Sequence, residues 1–267
     1  QVVLVSSGAI ACGMDARRRR RRPTELSQLQ ACAAVGQSEL MRAYAEAFTA
    51  HRLTVAQVLL TQDDFEDPTR CRNARKTLDV LLAWGHVPVV NENDAVAVEE
   101  ITFGDNDRLA ALVAVLLKVD LLVMLTDVDG LLQDGRVIER LDAIQDSHHA
   151  LALGASRETT TGGMTSKLNA AKVVRHSGIP LVIANGTKAG VLVEILEGKP
   201  VGTLVTPPQA RLKFRKWWVA FSARRPKGTI VIDAGAAEAL RHHGRSLLAS
   251  GVREVQGRFH VGESVMI

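Results

Sequence analysis

The stretch "VVNENDAVAVEEITFGDNDRLAALVAVL", Val89 to Leu116, holds a strand end, a polar tip, a loop and a helix start. The apolar run that begins at Val87 reads as a strand over 87–94, and it ends in four short polar residues, Asn91, Glu92, Asn93 and Asp94. Beyond the loop, Asp105, Asn106 and Asp107 stand where a helix would begin, and apolar residues recur at helical spacing over 106–118. Strand, polar tip and helix in that order make half of a βαβ unit.

The same alternation extends in both directions. "QVVLVSS" (1–7), "TVAQVLLT" (54–61), "DLLVMLTDV" (120–128) and "IPLVIANG" (179–186) read as strands, nearly continuous in apolar residues, as strands covered on both faces tend to be. Residues 24–50, 70–85 and 165–177 show helical spacing. The chain is therefore expected to be α/β, a mostly parallel sheet sandwiched by helices. The strand tips "SSGA", "TQDD", "NEND", "TDVDG" and "ANGTK" are polar or small, and ligands of open α/β sheets sit beyond the carboxyl ends of the strands.

Composition sets the outer bounds. Hydrophobic residues are 46% and charged residues 23% of 267, as in an ordinary globular protein. No apolar run reaches the ~18 residues of a membrane span and no signal peptide is visible, so no membrane partner is expected. The three cysteines, Cys12, Cys32 and Cys71, share no metal-ligand spacing and read as inert thiols of a reducing, cytoplasmic compartment. The net charge of +4 is local, because Arg17 to Arg22 alone exceed it. That run reads as a solvated loop between two helices, with a nucleic-acid or anion patch as the other reading, and Thr24 is the expected N-cap of the next helix. "TPPQARLK", 206–213, breaks the pattern with two prolines and reads as a linker to a small β-rich domain over 214–267.

Several tips carry chemistry. "TTTGGMTSKLNAAKVV", Thr159 to Val174, is no P-loop, yet Gly162 and Gly163 let a backbone approach an anion, and the following helix adds N–H groups and Lys167. A glycine-rich surface loop with a solvated lysine fits that stretch equally well. The Asn91–Asp94 and Asp105–Asp107 clusters could hold an ammonium group or Mg²⁺, or serve as caps. Ser6, Ser7 and Gly8 suit a carboxylate or phosphate, or a plain turn; Thr126 and Asp127 close another strand.

Taken together, "SSGAIACG", "AAVGQSEL", "QVLLT", "NARKTL", "VPVVNENDAVA", "FGDNDRLAALVA", "LTDVDGL" and "TGGMTSK" resemble the amino acid kinase family, in order from residue 1 to about 206. "NENDAVA" with "GDND" is similar to its glutamate-phosphorylating branch rather than to acetylglutamate, aspartate, carbamate or uridylate kinases. The tail resembles a PUA domain. The resemblance implies ATP-dependent phosphorylation of the γ-carboxylate of L-glutamate, the first step toward proline, with Mg²⁺, feedback inhibition by proline and a homo-oligomeric assembly. Carried over by motif, Ser7, Asp94 and Asn106 would bind glutamate. Thr126, Asp127 and the loop Thr161, Gly162, Gly163, Met164, Thr165, Ser166 and Lys167 would bind ATP. Lys167 would stabilise the transferring phosphoryl group and Asp107 organise the charges around it; no residue is implied as a dedicated metal ligand.

Two departures accompany the resemblance. The family opens with a strand, a "K-x-G-S/T-S" loop and a helix before the strand found here at 1–7, and its PUA-like tail runs further than 267. The kinase domain, 1–206, is thus expected to want that segment, and the chain alone to be poorly soluble and weakly active. Two other classes of function stay open at this point. One is an RNA-binding protein acting through the tail, with Arg211, Lys213, Arg215, Lys216, Arg224, Arg225, Lys227, Trp217 and Trp218, whose tryptophans could equally pack a core. The other is a catalytically dead regulatory relative.

Overall fold

The computed structural model describes residues 1–16, 22–96, 105–154, 163–208, 228–260 and 265–267. The chain forms two compact units, 1–213 and 214–267.

In the first unit, β1 (Leu4–Val5), β2 (Val55–Leu60) and β3 (Val87–Glu92) make a parallel sheet with β3 in the middle. The pattern of the sequence explains the centre: Val87, Val89, Val90 and Asn91 of β3 are all buried. A second sheet runs β4 (Leu122–Thr126), β8 (Leu181–Asn185), β9 (Thr203–Val205) and β7 (Arg140–Leu141) in that order. Its β4–β8 and β7–β9 pairs are parallel, and β8–β9 is antiparallel. The expected mostly parallel sheet is thus two sheets among the described residues, with one antiparallel seam. β7 and β9, at two and three residues, are too short to show a periodicity in the sequence. A small hairpin, β5 (Leu132–Gln133) with β6 (Arg136–Val137), precedes β7.

Two helices make the core. α5 (Asp105–Leu117) is buried without interruption from Leu109 to Leu116, as expected of a helix apolar on every face. It packs against β1, β3 and β4, and so joins the two sheets, and it also meets α7 (Met164–His176). Burial at this depth stabilises by ~1.5–3 kcal/mol per large side chain, so the polar start of α5 is its only part suited to an opening.

α1 (Ala9–Ala16) packs along α2 (Leu26–Thr49) at backbone contact, and α2 also meets β2. A Cβ on Gly13 would lie 1.9 Å from the carbonyl oxygen of Cys32, and one on Gly36 1.8 Å from that of Ala9. Only glycine fits at either position. The N-cap of α2 is Glu25 rather than the expected Thr24, and no side chain caps it. The Glu25 carboxylate instead accepts from Ser27 Oγ (2.5 Å) and Gln28 Nε2 (2.7 Å). α3 (Gln62–Glu66), α4 (Pro68–Ala83), α6 (Asp146–Gly154) and α8 (Val191–Leu196) complete the unit. Of these, only α4 shows as a pattern in the sequence, and Asp67 caps it by accepting from Thr69 N and Arg70 N.

The second unit has an antiparallel pair, β10 (Gly228–Ile232) and β11 (Val252–Gly257), with α9 (Ala234–His243) between them. Asp233 caps α9 by accepting from Ala236 N at 2.8 Å.

Candidate active site

The polar starts of α5 and α7 meet. Asp107, third residue of α5, receives Lys167 Nζ at 3.2 Å on each carboxylate oxygen. Ser166 Oγ, from the first turn of α7, lies 2.5 Å from Asp107 Oδ2 and 2.7 Å from the carbonyl oxygen of Gly163. The lysine side chain is 9% exposed and the aspartate 17%. Both charges are thus mostly withdrawn from water and held by each other and by a hydroxyl. The first turns of two 13-residue helices converge here, and each leaves N–H groups and a positive dipole end at its start. Among the described side chains, one carboxylate against two helix starts and a lysine leaves the place suited to an added anion.

Two glycines of these loops are uncrowded among the described residues. Gly163 caps α7, and a Cβ there would meet nothing within 4 Å; the same holds at Gly8, whose φ is +104° between β1 and α1.

Ser7 and Asp94 sit at neighbouring strand ends, since β1 pairs with β3 as Leu4 with Val89 and Val5 with Val90, and Ser6 N donates to Val90 O at 2.9 Å. Asp94 opens a 3-10 turn, Asp94–Val96, against which α2 packs. Asn106 adjoins Asp107, and its Oδ1 is buried with no hydrogen-bond partner among the described residues. Thr126 and Asp127 close β4, where Thr126 Oγ1 donates to Asp127 Oδ1 at 3.2 Å. Of the residues named from the sequence, Asp107, Ser166 and Lys167 are in direct contact. Ser7 and Asp94 lie on adjoining strand tips, Asn106 in the first turn of α5 beside Asp107, and Thr126 and Asp127 on the tip of the second sheet. Met164 and Thr165 belong to the first turn of α7. Thr161 and Gly162 lie outside the described residues, as do Arg17–Arg21 and the basic, tryptophan-bearing segment 211–227.

Several polar contacts at these tips escape sequence reasoning. Gln37 and Tyr44 of α2 reach Asn91 and Ser6. Asp129 accepts from Asn185 Nδ2 and pairs with Lys188, each at 2.8 Å, which ties the β4 and β8 tips and holds the Asp129 carboxyl below its usual range. Gln37 had one visible signal, a polar residue on the α2 face otherwise made by Leu29, Cys32, Ala33 and Gly36.

The description of the amino acid kinase family matches residues 1–185, and that of the PUA domain residues 228–267. This chain belongs to the amino acid kinase family. Known relatives of this kinase include the glutamate 5-kinase of Citrifermentans bemidjiense, 47% identical over 274 residues, spanning 100% of the chain and 73% of that relative. The glutamate 5-kinase of Caldanaerobacter subterraneus subsp. tengcongensis is 45% identical over the same shares. That of Anaeromyxobacter dehalogenans is 47% identical over 99% of the chain and 72% of the relative.

Proposed function

We propose that this kinase transfers the γ-phosphoryl group of ATP to the γ-carboxylate of L-glutamate, giving γ-glutamyl phosphate and ADP as the first step toward proline. The relatives named above carry that activity in their names, and one observation carries it at the site: the Asp107–Lys167–Ser166 contact where two helix starts meet. A γ-carboxylate oxygen bonds to the γ-phosphorus while the bond to the β,γ-bridging oxygen breaks and its electron pair leaves with ADP. The nucleophile is already an anion, so no base has to take a proton. What the reaction needs is in-line placement of two anions and relief of their repulsion.

The residues divide accordingly. Ser7, Asp94 and Asn106, on the first sheet's side, hold glutamate, with Asp94 suited to its ammonium group. Thr126 and Asp127 hold the nucleotide on the second sheet's side. Gly163 to Ser166 lead the phosphates onto the start of α7, continuing from Thr161 and Gly162. Lys167 Nζ bears on the transferring phosphoryl group, and Asp107 keeps it there. Mg²⁺ supplies charge neutralisation across the phosphates when bound. Among the described residues no group of three His, Cys, Asp or Glu is placed to hold a metal ion. Among the described residues no helix is long and apolar enough to cross a membrane. A cytoplasmic location, proline feedback and homo-oligomeric assembly accompany this reading, with residues 1–206 as catalytic domain, 207–213 as linker and 214–267 as PUA-like domain.

The test is to assay the full-length gene product with ATP, Mg²⁺ and glutamate and to trap the acyl phosphate with hydroxylamine as γ-glutamyl hydroxamate. Glutamate-dependent hydroxamate is expected. Equal rates with aspartate or N-acetylglutamate would reject the assignment.

A further inference from the structure

The helix α2 bears two polar side chains seven residues apart, hence on one face, and each reaches a different strand tip. Gln37, 8% exposed, meets Asn91, 1% exposed, with Asn91 Nδ2 donating to Gln37 Oε1 at 2.8 Å. The direction of this bond is set by the backbone. Glu92 N donates to Asn91 Oδ1 at 2.8 Å, so the amide Nδ2 must face Gln37, and Gln37 must turn its Oε1 to Asn91. Gln37 Nε2 is left buried with no hydrogen-bond partner among the described residues. Tyr44 makes the second link. Ser6 Oγ donates to Ser7 O at 3.1 Å, so the hydroxyl of Tyr44, 2.9 Å away, is the donor to Ser6 Oγ.

A buried amide pair with an unmet donor is a poor way to stabilise a helix on a sheet, since an apolar pair of the same shape would avoid the desolvation of those groups. Its effect is on geometry. Gln37 fixes the side chain three residues before Asp94, and Tyr44 fixes the one directly before Ser7. α2 also packs against the turn that Asp94 opens. We infer that Gln37 and Tyr44 are positioning residues for the acceptor substrate: α2 holds, through Asn91 and Ser6, the two strand tips that grip the amino acid. This rests on the proposed placement of glutamate at Ser7 and Asp94 and adds α2 as the element that sets the distance between them.

The full-length protein is compared with its Gln37→Met and Tyr44→Phe variants, each close to the original in shape. KM is measured separately for glutamate and ATP, together with the rise in melting temperature that glutamate alone produces. The glutamate KM is expected to rise about fivefold for Gln37→Met and about threefold for Tyr44→Phe, as loss of one neutral hydrogen bond allows. The ATP KM stays within about twofold and the stabilisation by glutamate shrinks. Tyr44→Phe removes one oxygen and keeps the inference testable if Gln37→Met does not fold. Equal rises in both KM values, or a lower melting temperature with an unchanged glutamate KM in the folded variants, would overturn it. Absence of glutamate turnover in the unsubstituted protein counts instead against the reading beneath it.

Discussion

On the proposed reading Lys167 has two duties, and two readouts of one substitution tell them apart. Its ammonium is paired with Asp107 in a setting mostly closed to water, so Lys167→Met removes the charge proposed to bear on the phosphoryl group and leaves a carboxylate held by Ser166. The catalytic part should lower kcat by roughly 10²-fold or more, as for other preorganised charges on a transition state. The structural part should lower stability by at most ~3–5 kcal/mol, the range for breaking a buried pair. Steady-state kinetics beside a melting curve distinguishes them, and an unchanged kcat would return Lys167 to a packing role. Asn106→Ala is expected to raise the glutamate KM much more than the ATP KM; the opposite pattern would move Asn106 to the nucleotide side. Asp107, Ser166 and Lys167 were legible as candidates because glycine, lysine and aspartate stand there in a recognisable order, and the structure brings these three into contact. Gln37, Tyr44 and Asn185 were not legible. Their partners lie 54, 38 and 56 positions away, and nothing local marks a residue whose importance is a contact at that separation.

At the scale of elements, the long strands and helices were legible because burial on both faces writes continuous apolar runs. The strand read over 120–128 spans Leu122–Thr126, and the helix read over 165–177 spans Met164–His176. The antiparallel return through β9 and the short α6 carry too few residues for a period to show. α6 contributes a pH effect that follows from its packing on α7. Burial and the nearby charge of Lys172 push the His149 imidazole below its ordinary range, His148 adds to this, and Asp146 opposes it. A lowered folded value means that the unfolded chain binds the proton more readily. Stability is therefore fully present above about pH 6.5 and is lost as pH falls through the folded value. His149→Gln should flatten that part of the stability profile, measured by denaturant melts across pH 5–7.5; an unaltered profile would assign the loss to another group. The α1–α2 crossing gives a sharper expectation, because Gly36→Ala would place a methyl on the Ala9 carbonyl with only backbone to yield. Overpacking of that kind costs ~1–3 kcal/mol, read as a lower melting temperature.

For the whole molecule, we propose that contacts rather than the prolines set where the kinase unit can be cut, within the compact unit 1–213. A boundary just after Val205 would keep β9 but remove Thr206. Thr206 N donates to Leu141 O at 3.0 Å, its Oγ1 donates to Asp142 Oδ1 at 2.6 Å, and its carbonyl accepts from Arg175 Nε at 2.9 Å. Arg175 also donates to the Asp142 carbonyl. These bonds bind the last turn of α7, whose first turn carries Ser166 and Lys167, to the edge strand β7. Three exposed or half-exposed bonds contribute about 2 kcal/mol together, which for a unit near 200 residues moves the melting temperature by on the order of 5 °C. A protein cut after Lys213 should therefore keep glutamate-dependent turnover, while one cut after Val205 melts several degrees lower and loses activity first on warming. If the two truncations melt together, the Thr206 contacts do not hold α7. If the cut after Lys213 abolishes turnover that the intact protein shows, the second unit takes part in catalysis and the two compact units do not work separately.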